Sequence, residues 1–254
     1  SEVAQAIMEY LDCECTYFPS MADDDPIMSA YSYAQRLGVR EGFVPVLIKA
    51  DDETLLECLV MNADPKNDAD IYEFDLKAVT EYRKKMLSTP VKDGKAVLEE
   101  LTGQRKEEAK DDDMDWDEEV MGEMEGGEPN DRFSSYWDDD TEMTYPLILA
   151  KIPVKNPWEI FTYLPFGNWN DCPDIPELMA AAKYWFEQYG AVPAAMSHDE
   201  LEFLLPAPVP KEKAMDAAVE LYGFCPDLDQ NEDGSIGSLA YALWQSTVWY
   251  FWWD

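Results

Sequence analysis

Residues 247–253 constrain the fold more than any other part of this sequence. They read TVWYFWW, and in an extended strand successive side chains point to opposite faces of the sheet. The two trios, one on each face, are Val248, Tyr250 and Trp252, and Trp249, Phe251 and Trp253. Strands that are apolar on both faces are typical of the interior of a sheet. We therefore predict a closing strand with a paired neighbour on each side.

Two kinds of hydrophobic pattern recur along the rest of the chain. Residues 43–50 and 145–154 are continuous apolar runs, typical of strands covered on both faces. Residues 75–86 and 174–189 each start at a capping aspartate and carry apolar side chains at helical spacing. Residues 192–205 have the pattern of a hairpin. Together these patterns predict the α+β class, with a mixed β-sheet and flanking helices.

The charge of the chain argues against two classes of function. The sequence has 54 Asp and Glu residues against 19 Lys and Arg, a formal net charge of −35. Nucleic-acid binding is disfavoured because each phosphate contact needs a positive partner, and adsorption to an anionic membrane is disfavoured for the same reason. Attraction of cations or of a basic protein is favoured. An acidic surface that serves only solubility is the alternative.

The acidic residues are concentrated in one segment. Residues 107–142 contain 17 acidic and 2 basic residues. Within them Trp116, Val120 and Met124 recur every four residues, which predicts an acidic helix docked on its own protein by an apolar stripe. A docking surface for a basic partner is the alternative. The expected organisation is an N-terminal α/β part over 1–102, an acidic helical insert over 103–144 between two α/β halves, and a C-terminal α+β domain over 145–254.

The cysteine pattern predicts the cellular compartment, and the absence of known catalytic motifs limits the reactions that the sequence indicates. The five cysteines are odd in number and lack CxxC spacing, so they predict neither a disulfide framework nor a zinc site. Free thiols suit a reducing cytoplasm, and no run of residues approaches the length of a membrane span. No nucleotide-binding, zinc-hydrolase or serine-hydrolase motif occurs. We expect a cytoplasmic protein that uses no cofactor.

Two Cys-Pro-Asp turns form the candidate ligand site. The loop 165–174 reads PFGNWNDCPD, and residues 225–227 repeat its last three letters. If both turns lie at one end of the sheet, their thiols approach each other and the helix that starts at Asp174 offers N–H groups to an anion or a polar ligand. The alternative is two helix-flanking turns with buried cysteines. The candidate ligand-binding residues are Asn168, Trp169, Asn170, Cys172, Asp174, Cys225 and Asp227.

A calcium-loop pattern and a single histidine are the remaining candidates for chemistry. Asp229, Asn231 and Asp233 match the first oxygen ligands of an EF-hand loop, but Ala240 occupies the position of the bidentate carboxylate. We therefore expect no tight metal binding there. His198, the sole histidine, lies at the predicted hairpin tip, where turn chemistry explains it without catalysis.

The C-terminal part resembles a known family. Its sequence at residues 157–159, 163–173, 222–227 and 249–254 resembles that of the family called domain of unknown function 4253. The similarity covers about residues 145–254. The resemblance implies a bacterial cytoplasmic protein. It brings no activity and no catalytic residues.

Three functions follow from these observations. The first is an acidic cytoplasmic binding protein, immunity-like or inhibitory, that uses its charge to bind a basic protein rather than to catalyse a reaction. The second is a small-ligand-binding protein or an enzyme with a pocket at the two Cys-Pro-Asp turns. The third is a divalent-cation binder that uses residues 229–240.

Overall fold

The computed structural model describes residues 1–68, 70–230 and 234–254. The helices are α1 (Glu2–Leu11), α2 (Asp25–Glu41), α3 (Glu53–Ala63), α4 (Leu76–Ser88), α5 (Gly94–Asp111), α6 (Ile175–Tyr189), α7 (Ala214–Phe224) and α8 (Ile236–Leu243). The strands are β1 (Cys15–Phe18), β2 (Val44–Lys49), β3 (Trp137–Asp138), β4 (Met143–Thr144), β5 (Leu147–Ile152), β6 (Val192–Met196), β7 (Glu200–Leu204) and β8 (Val248–Trp252). None of the helices in these ranges is long and apolar enough to cross a membrane.

The main sheet is mixed, as the apolar runs predict. Its strand order is β1-β5-β2-β6-β7-β8. Strands β1 and β2 pair with β5 in antiparallel orientation, whereas β2 pairs with β6 in parallel. The predicted strands at residues 43–50 and 145–154 become β2 and β5, whose apolar side chains are buried on both faces. The α+β class with a mixed sheet and flanking helices is confirmed.

The position of β8 corrects one prediction. This strand ends the order of the six-stranded sheet, so the expected neighbour on each side is wrong. Its Trp249 and Phe251 are nonetheless fully buried, with ring centroids 5.4 and 5.8 Å from that of Trp185 on α6. The N–H groups of Thr247 and Val248 donate to the Asn130 carbonyl. Burial of a strand's side chains and hydrogen bonding along its edge are therefore separate properties. The aromatic pattern predicts the burial and not the pairing.

The chain divides into two compact units that alternate along the sequence. Unit 1 comprises residues 1–91, 134–167 and 193–201, and unit 2 comprises residues 92–133, 168–192 and 202–254. Helices α1 to α4 belong to unit 1, and α5 to α8 belong to unit 2. The three domains expected from the sequence stay a prediction.

Within unit 2, two glycines allow α5 to approach its neighbours closely. A Cβ atom on Gly94 would lie 2.2 Å from the carbonyl oxygen of Ala180 on α6, and one on Gly223 of α7 would lie 2.6 Å from Thr102 Oγ1 of α5. Such distances are far below van der Waals contact, so larger residues cannot occupy these positions without a backbone shift. The close packing fixes α5 against both α6 and α7.

The acidic segment packs on unit 2 by a shorter helix than expected. A π-helical turn covers Trp116–Met121, where Val120 is buried and the Trp116 ring lies 5.9 Å from that of Tyr222. The turn ends at Gly122, whose φ of 61° lies in the left-handed region that favours glycine. Met124 therefore does not continue the helical stripe, which corrects that part of the prediction.

Candidate ligand-binding cavity

The loop that contains the first Cys-Pro-Asp turn is shaped by its asparagines and its cap. Asn168 and Asn170 have φ values of 69° and 45°, a region that asparagine tolerates better than most residues. The Asp174 carboxylate accepts the Glu177 N–H at 2.9 Å, and the Glu177 carboxylate accepts the Asp174 N–H at 3.1 Å. This reciprocal cap is the one predicted, and through it Asp174 itself satisfies an N–H at the start of α6.

The second Cys-Pro-Asp turn and Asn170, which precedes the first turn in its loop, contact the same short segment, residues 252–254. The buried Cys225 thiol donates to the Trp252 carbonyl at 3.0 Å, and burial raises its pKa. The Asp254 N–H donates to the Asp227 carboxylate at 3.0 Å, while Asn170 Nδ2 donates to the Asp254 carbonyl at 2.8 Å. These contacts fasten the chain that follows β8.

The other residues of that candidate set have mixed exposure. Cys172 is buried, Trp169 is half-buried, and the two asparagines are exposed. The structure thus brings Asn170, Cys225 and Asp227 to one place, filled by the protein's own backbone. Ligand binding by this set stays a prediction.

Two groups of residues with side-chain oxygens are candidate cation sites. Asn231 and Asp233 of the calcium-like loop lie outside the described residues, as does the side chain of Asp229. Ala240 is fully buried within α8. A separate cluster, Asp23 to Asp25, holds its oxygens within 4.8 Å of one another. There the Tyr136 hydroxyl donates to Asp24 and the Asp25 N–H to Asp23, so the cluster already serves the start of α2.

His198 fastens the β6–β7 hairpin tip within unit 1. Its Nδ1 lies 2.9 Å from Asp52 Oδ2, which also accepts the His198 backbone N–H at 2.7 Å. Asp52 is 7% exposed and caps α3 by accepting the Leu55 N–H. The Ser197 hydroxyl hydrogen-bonds to Asp199 and Glu200. The geometry is that of a clamp between the hairpin and the start of a helix.

A cavity of about 570 Å³ lies between α5, α6 and α7 in unit 2. This volume falls in the range of roughly 300–1,000 Å³ that is usual for small-molecule sites. Sequence reasoning missed it, because its walls come from three helices that are separated along the chain. The lining residues are Lys95, Leu98, Glu99, Thr102, Gly103, Lys106, Tyr184, Gln188, Tyr189, Lys213, Asp216, Val219 and Glu220.

Glu220 is the most perturbed acid in the cavity. Burial raises its pKa to about 7, an effect that the nearby Asp216 carboxylate reinforces and the Tyr184 hydroxyl and Trp185 indole N–H only partly offset. Its Oε1 is buried and has no hydrogen-bond partner of normal geometry among the residues that the structure describes. A buried carboxyl oxygen without a donor costs free energy. A bound donor would remove that cost once the Glu220 side chain turns Oε1 toward the cavity.

The surroundings of Glu220 differ from the exposed part of the lining. The half-buried rings of Tyr184 and Tyr189 line the cavity, and burial raises the pKa of Tyr184 to about 12. Both phenols are therefore neutral hydrogen-bond donors at neutral pH. Three lining residues, Lys95, Lys106 and Lys213, are exposed to solvent. The lysine charges are thus hydrated, whereas one carboxyl oxygen of the half-buried Glu220 is shielded from water.

Two of the three helices that line this cavity lie in a part of the chain that matches a known family. Residues 148–254 match the family model of the domain of unknown function DUF4253. The resemblance is thereby confirmed, and bacterial origin stays a prediction. Helices α6 and α7, with Tyr184 and Glu220, lie inside the DUF4253 match, whereas α5 precedes it. No curated protein and no solved structure matches the chain.

Proposed function

We propose that the cavity between α5, α6 and α7 binds a small organic molecule that carries a cationic amine. The observation that carries this proposal is the buried Glu220 oxygen, which faces no donor of normal geometry among the described residues. An ammonium group supplies both the missing donor and a charge that favours the ionised carboxylate. The tyrosine rings suit the same group, because a cation is attracted to an aromatic face.

The charge of the whole chain points in the same direction. A net charge of −35 raises the local concentration of cations and lowers that of anions. Binding and protonation at Glu220 are then linked. Below a pH of about 7 the carboxyl is mostly protonated, so an ammonium ligand must displace the proton. Its affinity should fall as the pH is lowered through that value.

The test compares benzylamine with benzoate, two probes of similar size and opposite charge. Calorimetry at pH 8 should show saturable binding of benzylamine, and Glu220→Gln should weaken it by roughly tenfold or more, as the loss of one buried charge pair implies. At pH 6 the titration should release protons into the buffer. Glu99→Gln makes the same charge change at an exposed position of the lining and is the matched control. Equal binding of benzoate, or unchanged binding by Glu220→Gln, would exclude this function.

A second function, binding of a basic protein, is favoured by the placement of the acidic segment. Apolar anchors of this segment pack on unit 2, and a Cβ on its Gly127 would lie 2.0 Å from the Ser238 carbonyl oxygen on α8. The acidic residues just before the first of these anchors, Asp111 to Asp113, are exposed, as are Asp117 to Glu119 between the first two. A negative surface held in place loses less conformational entropy on binding than a free acidic tail does.

The two triple variants D111N/D112N/D113N and D138N/D139N/D140N test this second function. Both remove the same charge from the acidic segment, the first from its part in unit 2 and the second from its part in unit 1. With a polylysine peptide as the probe, binding should weaken with salt, and the first variant should weaken it more than the second. Equal losses would mean that the net charge acts without a defined surface.

A further inference from the structure

Cys13 and Cys15 form a thiol cluster that the functions above do not use. Burial alternates from Cys13 to Cys15, with both cysteines half-buried and Glu14 between them exposed. Cys15 begins β1, and Cys13 lies in the bend just before it. The Cys13 thiol donates a hydrogen bond to the Cys15 sulfur. The sulfurs are therefore neighbours in the reduced protein.

The backbone that carries the pair is held from both sides. The Glu14 carboxylate lies 2.7 Å from Lys151 Nζ, and the Glu14 carbonyl accepts the Lys151 N–H. Cys15 is paired with Ala150 of β5. On the preceding side, the buried Arg83 guanidinium donates to the carbonyls of α1 just before the pair. The contacts hold the thiols together before any reaction occurs.

The two sulfurs differ in their readiness to ionise. The hydrogen bond from Cys13 lowers the pKa of Cys15, although burial opposes this effect. The pKa of Cys13 is raised, first because its thiol is the donor and then by burial. Cys58, which is also half-buried, has its pKa raised by burial and by nearby carboxylates. Because the thiolate is the reactive form, Cys15 is the better nucleophile of the three.

We infer that Cys13 and Cys15 are a hydroperoxide-reactive dithiol that closes to an intramolecular disulfide. The Cys15 thiolate attacks the terminal peroxide oxygen of ROOH, the O–O bond breaks, and the alkoxide leaves and takes up a proton as ROH. The product at Cys15 is a sulfenic acid. The Cys13 sulfur then attacks the sulfenic sulfur, its proton leaves with the hydroxide as water, and the S–S bond forms. Two thiols and one hydroperoxide give one disulfide, one alcohol and one water.

The spacing of the backbone permits this closure. Cys13 lies in a bend before β1, so roughly 6.6 Å, the separation of Cα atoms two residues apart in a strand with a rise of about 3.3 Å per residue, is an upper limit for this pair. Disulfides span Cα separations of roughly 4.4–6.8 Å, and this limit lies within that range. Cys13 precedes the first residue of β1, so it can move toward Cys15 without breaking a strand pair.

The test is peptide mapping of the full chain after treatment with cumene hydroperoxide. Trypsin releases residues 1–36 as one peptide, which contains Cys13 and Cys15 and no other cysteine. This peptide should lose two hydrogen masses and resist alkylation until dithiothreitol is added. Cys13→Ser should accumulate a dimedone-reactive sulfenic acid at Cys15, and Cys15→Ser should slow thiol oxidation by roughly tenfold. Cys58→Ser is the matched control and should change neither result.

Three outcomes would overturn the inference. The peptide could gain oxygen without forming a disulfide, Cys58 could react as fast as Cys15, or the disulfide could join two chains. If a serine variant loses its helical circular dichroism, the map of the unsubstituted protein decides alone. None of these readings depends on ligand binding in the cavity of unit 2, so the two proposals fail separately.

Discussion

Arg83 in unit 1 is buried and Glu220 in unit 2 is half-buried, and the surroundings of these two ionisable side chains differ. Arg83 is 5% exposed, donates to the Tyr10 carbonyl at 2.8 Å and to the Leu11 carbonyl at 3.4 Å, and lies 4.0 Å from the ring centroid of Tyr163. Its two terminal nitrogens therefore have acceptors, and its Nε is the part of the guanidinium that lacks one among the described residues. Glu220 Oε1 is buried without a hydrogen-bond partner of normal geometry among the described residues. The pKa of Glu220 is raised to about 7, an effect that the nearby Tyr184 hydroxyl and Trp185 indole N–H only partly offset.

The difference separates a structural charge from a candidate functional one. A buried charge that its own protein solvates is retained because its partners need it. A buried carboxyl that is left short of donors costs stability unless a ligand completes it. Substitution of either residue tests this difference, and substitutions in α5 test how tightly a helix beside the cavity is packed.

The largest effect is expected from Arg83→Met. The carbonyls of Tyr10 and Leu11 would lose their charged donor and stay buried, so the free energy of unfolding should fall by roughly 3–5 kcal/mol. Urea denaturation measures this value. Arg36→Met, at an exposed position of α2, is the control and should stay within about 0.5 kcal/mol. A loss below about 1 kcal/mol at Arg83 would show that its hydrogen bonds are dispensable.

The next effect is the pH dependence that Glu220 imposes. Its pKa is raised from the ordinary 4.5 to about 7, so the folded chain binds more protons than the unfolded chain between these values. Stability should therefore be complete below the lower value and decrease as the pH rises toward the higher one, by roughly 2–3 kcal/mol. Glu220→Gln should match the parent protein near pH 4.5 and exceed its stability at pH 8.

Denaturation of both proteins at several pH values gives the measurement. Glu99→Gln, on the exposed part of the lining, corrects for the general effect of removing one negative charge. If the parent and Glu220→Gln keep a constant difference from pH 4.5 to 8, Glu220 ionises normally and the comparison with Arg83 fails.

The smallest changes in stability are expected from two glycine substitutions in α5, one on its packed face and one on the face that lines the cavity. Gly94→Ala would bring a Cβ to 2.2 Å from the Ala180 carbonyl oxygen and should destabilise by roughly 1–3 kcal/mol. Gly103, on the same helix, lines the cavity and has no atom within 4 Å of a built Cβ. Gly103→Ala should stabilise by up to about 1 kcal/mol, because alanine favours a helix. Thermal unfolding of both variants compares them directly, and a destabilising Gly103→Ala would mean that the cavity wall is closed.

Local signals in the sequence predicted the elements well. The cap at Asp174 with Glu177 forms as expected, and the apolar runs at 43–50 and 145–154 become β2 and β5. Each of these features depends on residues within a few positions of one another, so periodicity and capping chemistry suffice to predict them. The α+β class follows from their alternation along the chain.

The candidate site could not be predicted in the same way. Glu220 lies in a helix between Val219 and Leu221. This local pattern does not predict whether its carboxyl group is exposed to solvent or buried against a neighbouring helix. In contrast, Asn168 and Asn170 of the loop 165–174 adopt left-handed backbone conformations, and Asn170 also donates a hydrogen bond to the Asp254 carbonyl. The unusual local sequence therefore belongs to a structural turn, whereas the cavity is lined by residues whose local sequence is ordinary.

The sequence by itself determined the secondary structure, the mixed α+β class and the acidic charge, because these depend on composition and on neighbours along the chain. Only the tertiary structure decided that β8 ends its sheet and that three helices enclose Glu220. The physical reason is that strand order and burial arise from contacts between residues distant in sequence. A side chain's pKa and unmet hydrogen bonds depend on those contacts rather than on its neighbours in the chain.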